Sequence, residues 1–191
     1  MTDPEPADLR PSASKKEWRA RFRAGRADLT PVFRATAAEA LSQVVRGIAL
    51  GSCVAAYVPV GSEPGSRALL DALSARVLLP VSPVEHGPLD WAEYSDGLAP
   101  GPFGLLEPVG PRLGTDALAQ ASTVLLPALG VSRAGVRLGR GAGYYDRSLS
   151  AARGARLIAV VYDHELVDAL PSEPTDVPVH AALTPSGLVE F

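Results

Sequence analysis

The stretch "STVLLPAL", Ser122–Leu129, and the run "RLGRGAGYYDR", Arg137–Arg147, which follows it closely, decide the fold of this chain. The first is a short apolar run, which is typical of a strand buried on both faces of a parallel sheet. The second places three alternating glycines before "YYDRSLSAAR", which we predict to be a helix. A buried strand, a glycine-rich loop and a helix in this order indicate an α/β protein.

The rest of the chain alternates between short apolar segments and helical ones. We predict strands at "SCVAAYVPV", "RVLLPVSP" and "ARLIAVVYD", a short helix at "SRALLDALSA" and a final strand pair in "VHAALTPSGLVEF". The segments "PLDWAEYSD" and "GPFGLLEPV" are expected to form an irregular strand pair around a loop. The predicted fold is a single α/β domain over residues 14–191, with a mostly parallel sheet and helices on both faces, a three-layer αβα arrangement.

A pair of helices is expected to precede this sheet. The acidic, proline-rich segment 1–13 predicts a disordered tail, because it has almost nothing apolar to bury. Ser14 and Glu17 have the spacing of a capping box at the start of the first helix. The second helix should begin with Thr30 as its cap and Pro31 at its first position.

The first helix is amphipathic. Its face with Trp18, Arg21 and Phe22 should pack against the protein. The other face carries positive charges that should stay in water or meet an anion: Lys15, Lys16, Arg19, Arg23 and Arg26.

Composition excludes several classes of protein. The chain has 191 residues, 47% of them hydrophobic and 20% charged, with a formal net charge of −3. A general nucleic-acid binder would normally be markedly basic, so we expect no nucleic-acid partner. No apolar run reaches about 18 residues, which predicts no membrane-spanning helix, and the single cysteine, Cys53, fits a reducing cytosol. We therefore expect a cytoplasmic protein. A monomer is also expected, although composition does not determine the oligomeric state.

The glycine run has the composition of an anion-binding loop. Because Gly139, Gly141 and Gly143 can adopt positive φ and lack a Cβ, successive N–H groups can converge on an anion. The following helix would direct its positive end to the same place, and Arg137 and Arg140 would add full charges. The spacing differs from a P-loop and from a dinucleotide-binding loop. The alternative is a tight turn whose glycines only satisfy steric requirements, which leaves the arginines unexplained.

The stretch "LLPALGVSRAGVRLGRGAGYYDRSL" resembles the signature of the 5-formyltetrahydrofolate cyclo-ligases, also called 5,10-methenyltetrahydrofolate synthetases. Four shorter segments resemble parts of the same family and occur in the family's order. They are "KKEWR" of the basic N-terminal helix, "YVPVGSE" of the substrate strand and loop, "GPFGLLEP", and the late acidic segment "EPTDVPVH". The resemblance extends over most of the chain.

The resemblance implies a C–N bond-forming enzyme of folate one-carbon metabolism. Family members convert 5-formyltetrahydrofolate to 5,10-methenyltetrahydrofolate with ATP and Mg²⁺, releasing ADP and phosphate. ATP phosphorylates the formyl oxygen, the neighbouring folate nitrogen attacks the activated carbon, and phosphate leaves. Phosphoryl transfer of this kind depends on positioning and charge neutralisation, which suits a chain rich in loop N–H groups and arginines.

The resemblance also implies roles for individual residues. Those expected to bind ATP are Lys15, Lys16, Glu17, Trp18, Arg19, Arg137, Leu138, Gly139, Arg140, Gly141, Ala142, Gly143, Tyr144 and Tyr145. Those expected to bind folate are Val58, Glu63, Phe103, Arg140, Gly141, Ala142, Gly143 and Tyr144. Glu63 would accept two hydrogen bonds from the pterin, and aromatic rings could stack on the substrate. The expected magnesium ligands are Asp146 and Asp176.

Without the resemblance, simpler explanations exist for several of these residues. Glu63 could be a solvated loop residue, and Asp146 could begin a helix and pair with Arg147. His180 stands where family members often carry an aspartate, four residues after Asp176. Two other classes stay open: a nucleotide-binding protein without folate turnover, and a different α/β enzyme acting on a phosphorylated sugar or a thioester.

Overall fold

The computed structural model describes residues 13–83, 85, 87–95 and 97–191. The helices are α1 (Lys15–Ala27), α2 (Pro31–Arg46), α3 (Arg67–Asp71) and α4 (Tyr144–Ser148). The strands are β1 (Cys53–Ala55), β2 (Arg76–Val81), β3 (Asp90–Glu93), β4 (Leu98–Pro100), β5 (Leu106–Pro108), β6 (Thr123–Pro127), β7 (Gly130–Ser132), β8 (Arg137–Leu138), β9 (Arg156–Val160), β10 (Leu166–Val167), β11 (Ala181–Thr184) and β12 (Gly187–Glu190). The tail expected at residues 1–12 lies outside the described residues.

A seven-stranded sheet forms the centre of the molecule, in the order β12-β11-β9-β6-β1-β2-β3. The five inner strands are parallel to one another, and the two edge strands, β12 and β3, pair antiparallel with their neighbours. Both faces are covered. Along β6, Val124 and Leu126 join one buried cluster, whereas Leu125 joins the other, with Leu41 of α2 and Leu69 of α3. The predicted α/β fold with a mostly parallel sheet is confirmed.

The two N-terminal helices begin as expected. The Ser14 side chain accepts from the N–H of Glu17, and the Glu17 carboxylate accepts from the N–H of Ser14, which completes a capping box. The Thr30 hydroxyl accepts from the N–H of Phe33, with Pro31 at the first position of α2. No helix in the described part of the chain is long and apolar enough to cross a membrane.

The expectation that Arg26 stays on the charged face of α1 is wrong. Arg26 is buried, because it follows Trp18 and Phe22 at intervals of four residues and therefore lies on the same face of the helix. Its Nε and Nη2 donate to the two carboxylate oxygens of Glu165 at 2.6 and 2.8 Å, and Nη2 also donates to the carbonyl of Ala128 at 2.6 Å. A buried ion pair thus fixes α1 to the sheet.

Two segments pair differently from the expectation. The strand expected in "PLDWAEYSD" is β3, which pairs with β2, because this places the fully buried Trp91 and Ala92 against the main core. The segment "GPFGLLEPV" contributes β5, whose partner is β4. The expected pairing between the two segments is therefore wrong.

The glycine loop also has different neighbours from those expected. The hairpin β7–β8 stands between β6 and the loop and forms a separate three-stranded sheet with β10. The helix after the loop is shorter than predicted, since α4 gives way to a 3₁₀ turn at Leu149–Ala151. The Ser148 hydroxyl donates to the carbonyl of Tyr144 at 2.8 Å, a contact that weakens and bends helices.

Candidate functional site

A cavity of about 450 Å³ opens at the carboxyl ends of β1, β2 and β6. This edge is where ligands bind in α/β proteins, and the volume is typical of small-molecule sites. Its wall combines the segments that follow these strands with the glycine loop. The lining residues include Tyr57, Val58, Val60, Glu63, Ser82, Pro83, Leu89, Leu105, Leu106, Glu107, Arg137, Gly139, Arg140, Gly141, Ala142, Gly143, Tyr144, Tyr145 and Asp146.

The glycine loop presents unpaired donors to this cavity. Within the described part of the chain, none of the backbone N–H groups from Gly139 to Gly143 donates to a protein acceptor. Gly141 and Gly143 have φ of +104° and +70°, conformations that favour glycine. Since α4 has only five residues, the positive helix end expected here contributes little, and the unpaired loop N–H groups are the candidate site for an anion.

Glu63 lines the same cavity, with only 7% of its side chain exposed. Its Oε2 accepts from the N–H of Val60 at 3.0 Å, and its Oε1 lies 3.1 Å from Nε of Arg140. Burial raises the pKa of Glu63, while the Val60 hydrogen bond and the charge of Arg140 oppose this rise. A buried carboxylate in a cavity is a candidate binding group, so Glu63 is no solvated loop residue.

The two aspartates expected to hold magnesium lie near the same guanidinium. Asp146 pairs with Arg137, and not with Arg147 as the simpler explanation had it. Asp176 accepts from Nζ of Lys15 at 2.8 Å. Burial opposes ionisation of Asp176, but hydrogen bonds from Lys15 and a backbone N–H, together with the charge of Arg137, lower its pKa. Both carboxylates are therefore held next to cations.

Several predicted ATP residues do not reach the cavity with their side chains. Trp18 and Leu138 pack in a buried cluster with Phe22, and the Glu17 carboxylate caps its own helix. Lys16 is exposed. The ATP contacts expected of these residues stay predictions.

Two more residues singled out in the sequence have defined positions. Nδ1 of His180 accepts from the N–H of Leu157 at 2.9 Å, which ties this exposed residue to the start of β9. The side chain of Phe103 lies outside the described part of the structure.

Other cavity residues were missed from the sequence. Arg26 lines the cavity, and its four-residue spacing from Phe22 was a signal for burial that could have been used. The Glu107 carboxylate accepts from the N–H of Ser82 at 2.8 Å, which holds the β4–β5 hairpin against the cavity. No local pattern in the sequence indicates this contact, because it joins β5 to the segment after β2, which lies 25 positions away in the chain.

Comparison with known proteins identifies the family to which the chain belongs. The sequence model of the 5-formyltetrahydrofolate cyclo-ligase family matches residues 11–185. The chain belongs to this family. A 5-formyltetrahydrofolate cyclo-ligase of Mycolicibacterium smegmatis is 47% identical over 182 residues, which cover 90% of this chain and 94% of the relative. The Escherichia coli 5-formyltetrahydrofolate cyclo-ligase is 29% identical over 152 residues, covering 75% and 84% of the two chains.

A solved structure agrees with this membership of the cyclo-ligase family. The NMR structure of the Aquifex aeolicus 5,10-methenyltetrahydrofolate synthetase matches with a TM-score of 0.78 at 25% identity. The match covers 92% of each chain. The resemblance seen in the glycine run and the four shorter segments is confirmed at the level of the family.

Proposed function

We propose that this protein converts 5-formyltetrahydrofolate to 5,10-methenyltetrahydrofolate, using ATP and Mg²⁺ and releasing ADP and phosphate. The observation that carries the proposal is a single cavity lined by both an anion-binding loop and a buried carboxylate, Glu63. The loop suits the phosphates of ATP and the carboxylate suits a pterin. The proposed reaction must bring ATP and the folate together in one site. The cytoplasmic location and monomeric state expected from the sequence stay predictions.

The folate would lie between Glu63 and the glycine loop. The Glu63 carboxylate can accept two hydrogen bonds from the ring N–H and the amino group of a pterin, which lie side by side. Val58, Leu105 and Tyr144 supply apolar surface on the cavity wall for the rings. We expect this placement to direct the formyl group toward the loop.

The phosphates of ATP would lie on the unpaired N–H groups from Gly139 to Gly143. Arg140, 53% exposed, and Arg137 stand at the cavity wall and can add positive charge. Arg19 contacts the loop itself, since its Nε donates to the carbonyl of Gly139 at 2.9 Å. Lys15, which binds Asp176, lies in the first turn of α1, the helix that also carries Arg19. These groups would neutralise charge on the transferred phosphoryl group.

The carboxylates present fit a magnesium ion that arrives with the nucleotide. Mg²⁺ prefers oxygen ligands and usually combines one or two carboxylates with phosphates and water. Asp146 and Asp176 would supply such oxygens, and the described residues contain no cluster of three or more metal-ligating side chains that could form a complete protein cage. When bound, the ion supplies neutralisation of phosphate charge. Arg137 and Lys15, now paired with these aspartates, would then be available to the phosphates.

The chemistry is the one that the resemblance to the cyclo-ligases implies, and these positions would support it. The formyl oxygen attacks the γ-phosphorus, a new P–O bond forms, and the bond to ADP breaks. The neighbouring folate nitrogen then attacks the formyl carbon, the C–O bond breaks, and inorganic phosphate leaves while the nitrogen loses its proton. The loop N–H groups and Arg140 hold the charge that develops on the phosphoryl oxygens in both steps.

Purified protein mixed with 5-formyltetrahydrofolate, ATP and Mg²⁺ tests the proposal. We expect absorbance in the near ultraviolet to grow as the methenyl product forms, with one ADP released for each product molecule. Omitting ATP, or removing the metal with a chelator, should abolish both signals. Folded protein that forms neither ADP nor the methenyl product would overturn the proposal.

Gly139→Ala tests the placement of Arg137 in the ATP site. A Cβ at this position would lie 2.8 Å from Nη1 of Arg137, at the far end of a long side chain, and φ at Gly139 is not positive. The guanidinium also bonds Asp146 and the carbonyl of Pro127. We expect the methyl group to displace the guanidinium and raise KM for ATP about tenfold, the scale of one charged hydrogen bond. The Tm without ligand should fall by only a few degrees, because the backbone of the loop is not strained by the substitution. Gly141 is less suitable, because its φ of +104° strains any substituted residue.

The control for Gly139→Ala is Gly25→Ala on α1, where the added methyl group meets nothing within 4 Å. This control should leave KM for ATP unaltered. An equally unaltered KM in Gly139→Ala would exclude Arg137 from the ATP site.

A further inference from the structure

Each of the three alternating glycines has a guanidinium packed where its side chain would begin. A Cβ on Gly139 would lie 2.8 Å from Nη1 of Arg137, and one on Gly143 would lie 2.9 Å from Nη1 of Arg147. At Gly141 the neighbour is Arg19, whose Cζ would lie 3.5 Å away. The absence of a Cβ at the three glycines therefore leaves room for arginine side chains to pack against the loop backbone, in addition to permitting positive φ.

Three arginines bind the carbonyl oxygens of this loop. Arg19 donates from Nε to Gly139 at 2.9 Å, as described above. Arg23 donates from Nη2 to the carbonyl of Arg140 at 3.1 Å. Arg147 donates from Nη2 to the carbonyl of Ala142 at 2.9 Å. Two of these arginines come from α1 and one from α4, so the loop is held from both sides.

Among the described residues, the N–H groups from Gly139 to Gly143 have no protein acceptor. The carbonyls of Gly139, Arg140 and Ala142 are thus occupied by arginines, while the N–H groups of the loop are left for a ligand. An anion meets less repulsion from such a surface, and a loop that is ordered before binding loses less entropy on binding.

We infer that Arg23 and Arg147, together with Arg19, are positioning residues of the glycine loop. They act through the carbonyl oxygens of the loop, which they hold away from the ligand, and they keep the N–H groups ordered for the phosphates. The inference rests on the proposed binding of ATP phosphates by this loop. Arg23 is the better residue to test, because Arg147 also packs over the ring of Tyr144 and its substitution would change two contacts at once.

Arg23→Ala is the decisive variant, with Arg46→Ala as the control. Both residues are exposed arginines in the last half of a helix. Arg46 lies in the last turn of α2 and, among the described residues, makes no hydrogen bond or ion pair with the loop. Loss of one charge-assisted hydrogen bond should raise KM for ATP about tenfold in Arg23→Ala while KM for folate stays within about twofold. Combining it with Arg147→Ala should deepen the loss of ATP affinity.

Loop order in the ligand-free protein separates positioning from direct contact with phosphate. We expect ¹⁵N order parameters of Gly141 and Gly143 to fall from about 0.85 toward 0.6 in Arg23→Ala, and to stay unchanged in Arg46→Ala. A rise in KM for ATP with unchanged loop order would mean that Arg23 binds phosphate directly and would overturn the inference. A lower Tm with unchanged KM and loop order would also overturn it, because the role would be purely structural.

The same measurements distinguish this inference from the proposed function. Wild type that binds no Mg-ATP would contradict the proposed function, while the loop order, measured without ligand, would still support or overturn the positioning role. Wild type that turns over normally, with Arg23→Ala indistinguishable from Arg46→Ala in all readouts, would overturn the positioning role alone.

Discussion

Glu63→Gln is expected to raise KM for 5-formyltetrahydrofolate on the order of a hundredfold, about 3 kcal/mol, while KM for ATP changes little. The reason is the burial of Glu63, because water compensates poorly for a lost acceptor at a buried site. A glutamine turns one of the two acceptor oxygens into a donor, which then faces the donors of the pterin. Steady-state kinetics with each substrate varied in turn measure the two KM values.

Glu39→Gln is the control for this experiment, because Glu39 is an exposed glutamate on α2 whose side chain contacts only Gln43 of the same helix among the described residues. It should leave both KM values unchanged. If Glu63→Gln binds folate as well as wild type, Glu63 is not the pterin acceptor. An equal loss of folate and ATP affinity would indicate collapse of the cavity instead.

The pH dependence of folate binding supplies a second readout for Glu63. Burial raises the pKa of this carboxyl, so it takes up a proton at a higher pH than an ordinary glutamate. Folate affinity that depends on the carboxylate is present above this raised pKa and is lost as the pH falls through it. In Glu63→Gln the weakened affinity should show no such step.

Arg26→Met is expected to lower the free energy of unfolding by about 3–5 kcal/mol, the usual effect of removing one partner of a buried ion pair. Arg26 is 3% exposed and Glu165 is fully buried, so the remaining carboxylate would lose its two charged hydrogen bonds without access to water. Because the pair fixes α1, which carries Lys15 and Arg19, activity at elevated temperature should fall as well. Denaturant unfolding at neutral pH measures the effect.

The double variant Arg26→Met with Glu165→Gln identifies the cause of this loss. Glutamine removes the buried charge but keeps an acceptor for the N–H of Tyr162, which donates to Glu165 at 2.9 Å. We expect the double variant to recover part of the lost stability. Arg133→Met, which breaks an exposed pair with Asp168, is the control and should have almost no effect. No recovery in the double variant would mean that lost packing, and not the unpaired charge, dominates.

Much of the fold could be predicted from the sequence because the signals are local. The Ser14 and Glu17 capping box needs only a spacing of three residues, and the buried strand β6 needs only a continuous apolar run. The pairing of β3 could not be predicted in this way. β3 pairs with β2 because this pairing buries Trp91 in the main core. The sequence of β3 does not indicate which strand it will pair with.

By itself, the sequence determined the α/β class, the caps of the first two helices and the glycine loop, because each depends on the chemistry of neighbouring residues. The tertiary structure alone decided which charges meet. Lys15 reaches Asp176 across 161 positions, and Arg26 reaches Glu165 across 139. The burial of Glu63 and the hydrogen bonds from arginines to the loop carbonyls were likewise decided by the tertiary structure. Such contacts form only when folding brings α1 to the carboxyl edge of the parallel sheet. The sequence around a charged side chain does not indicate which distant residue will pack against it.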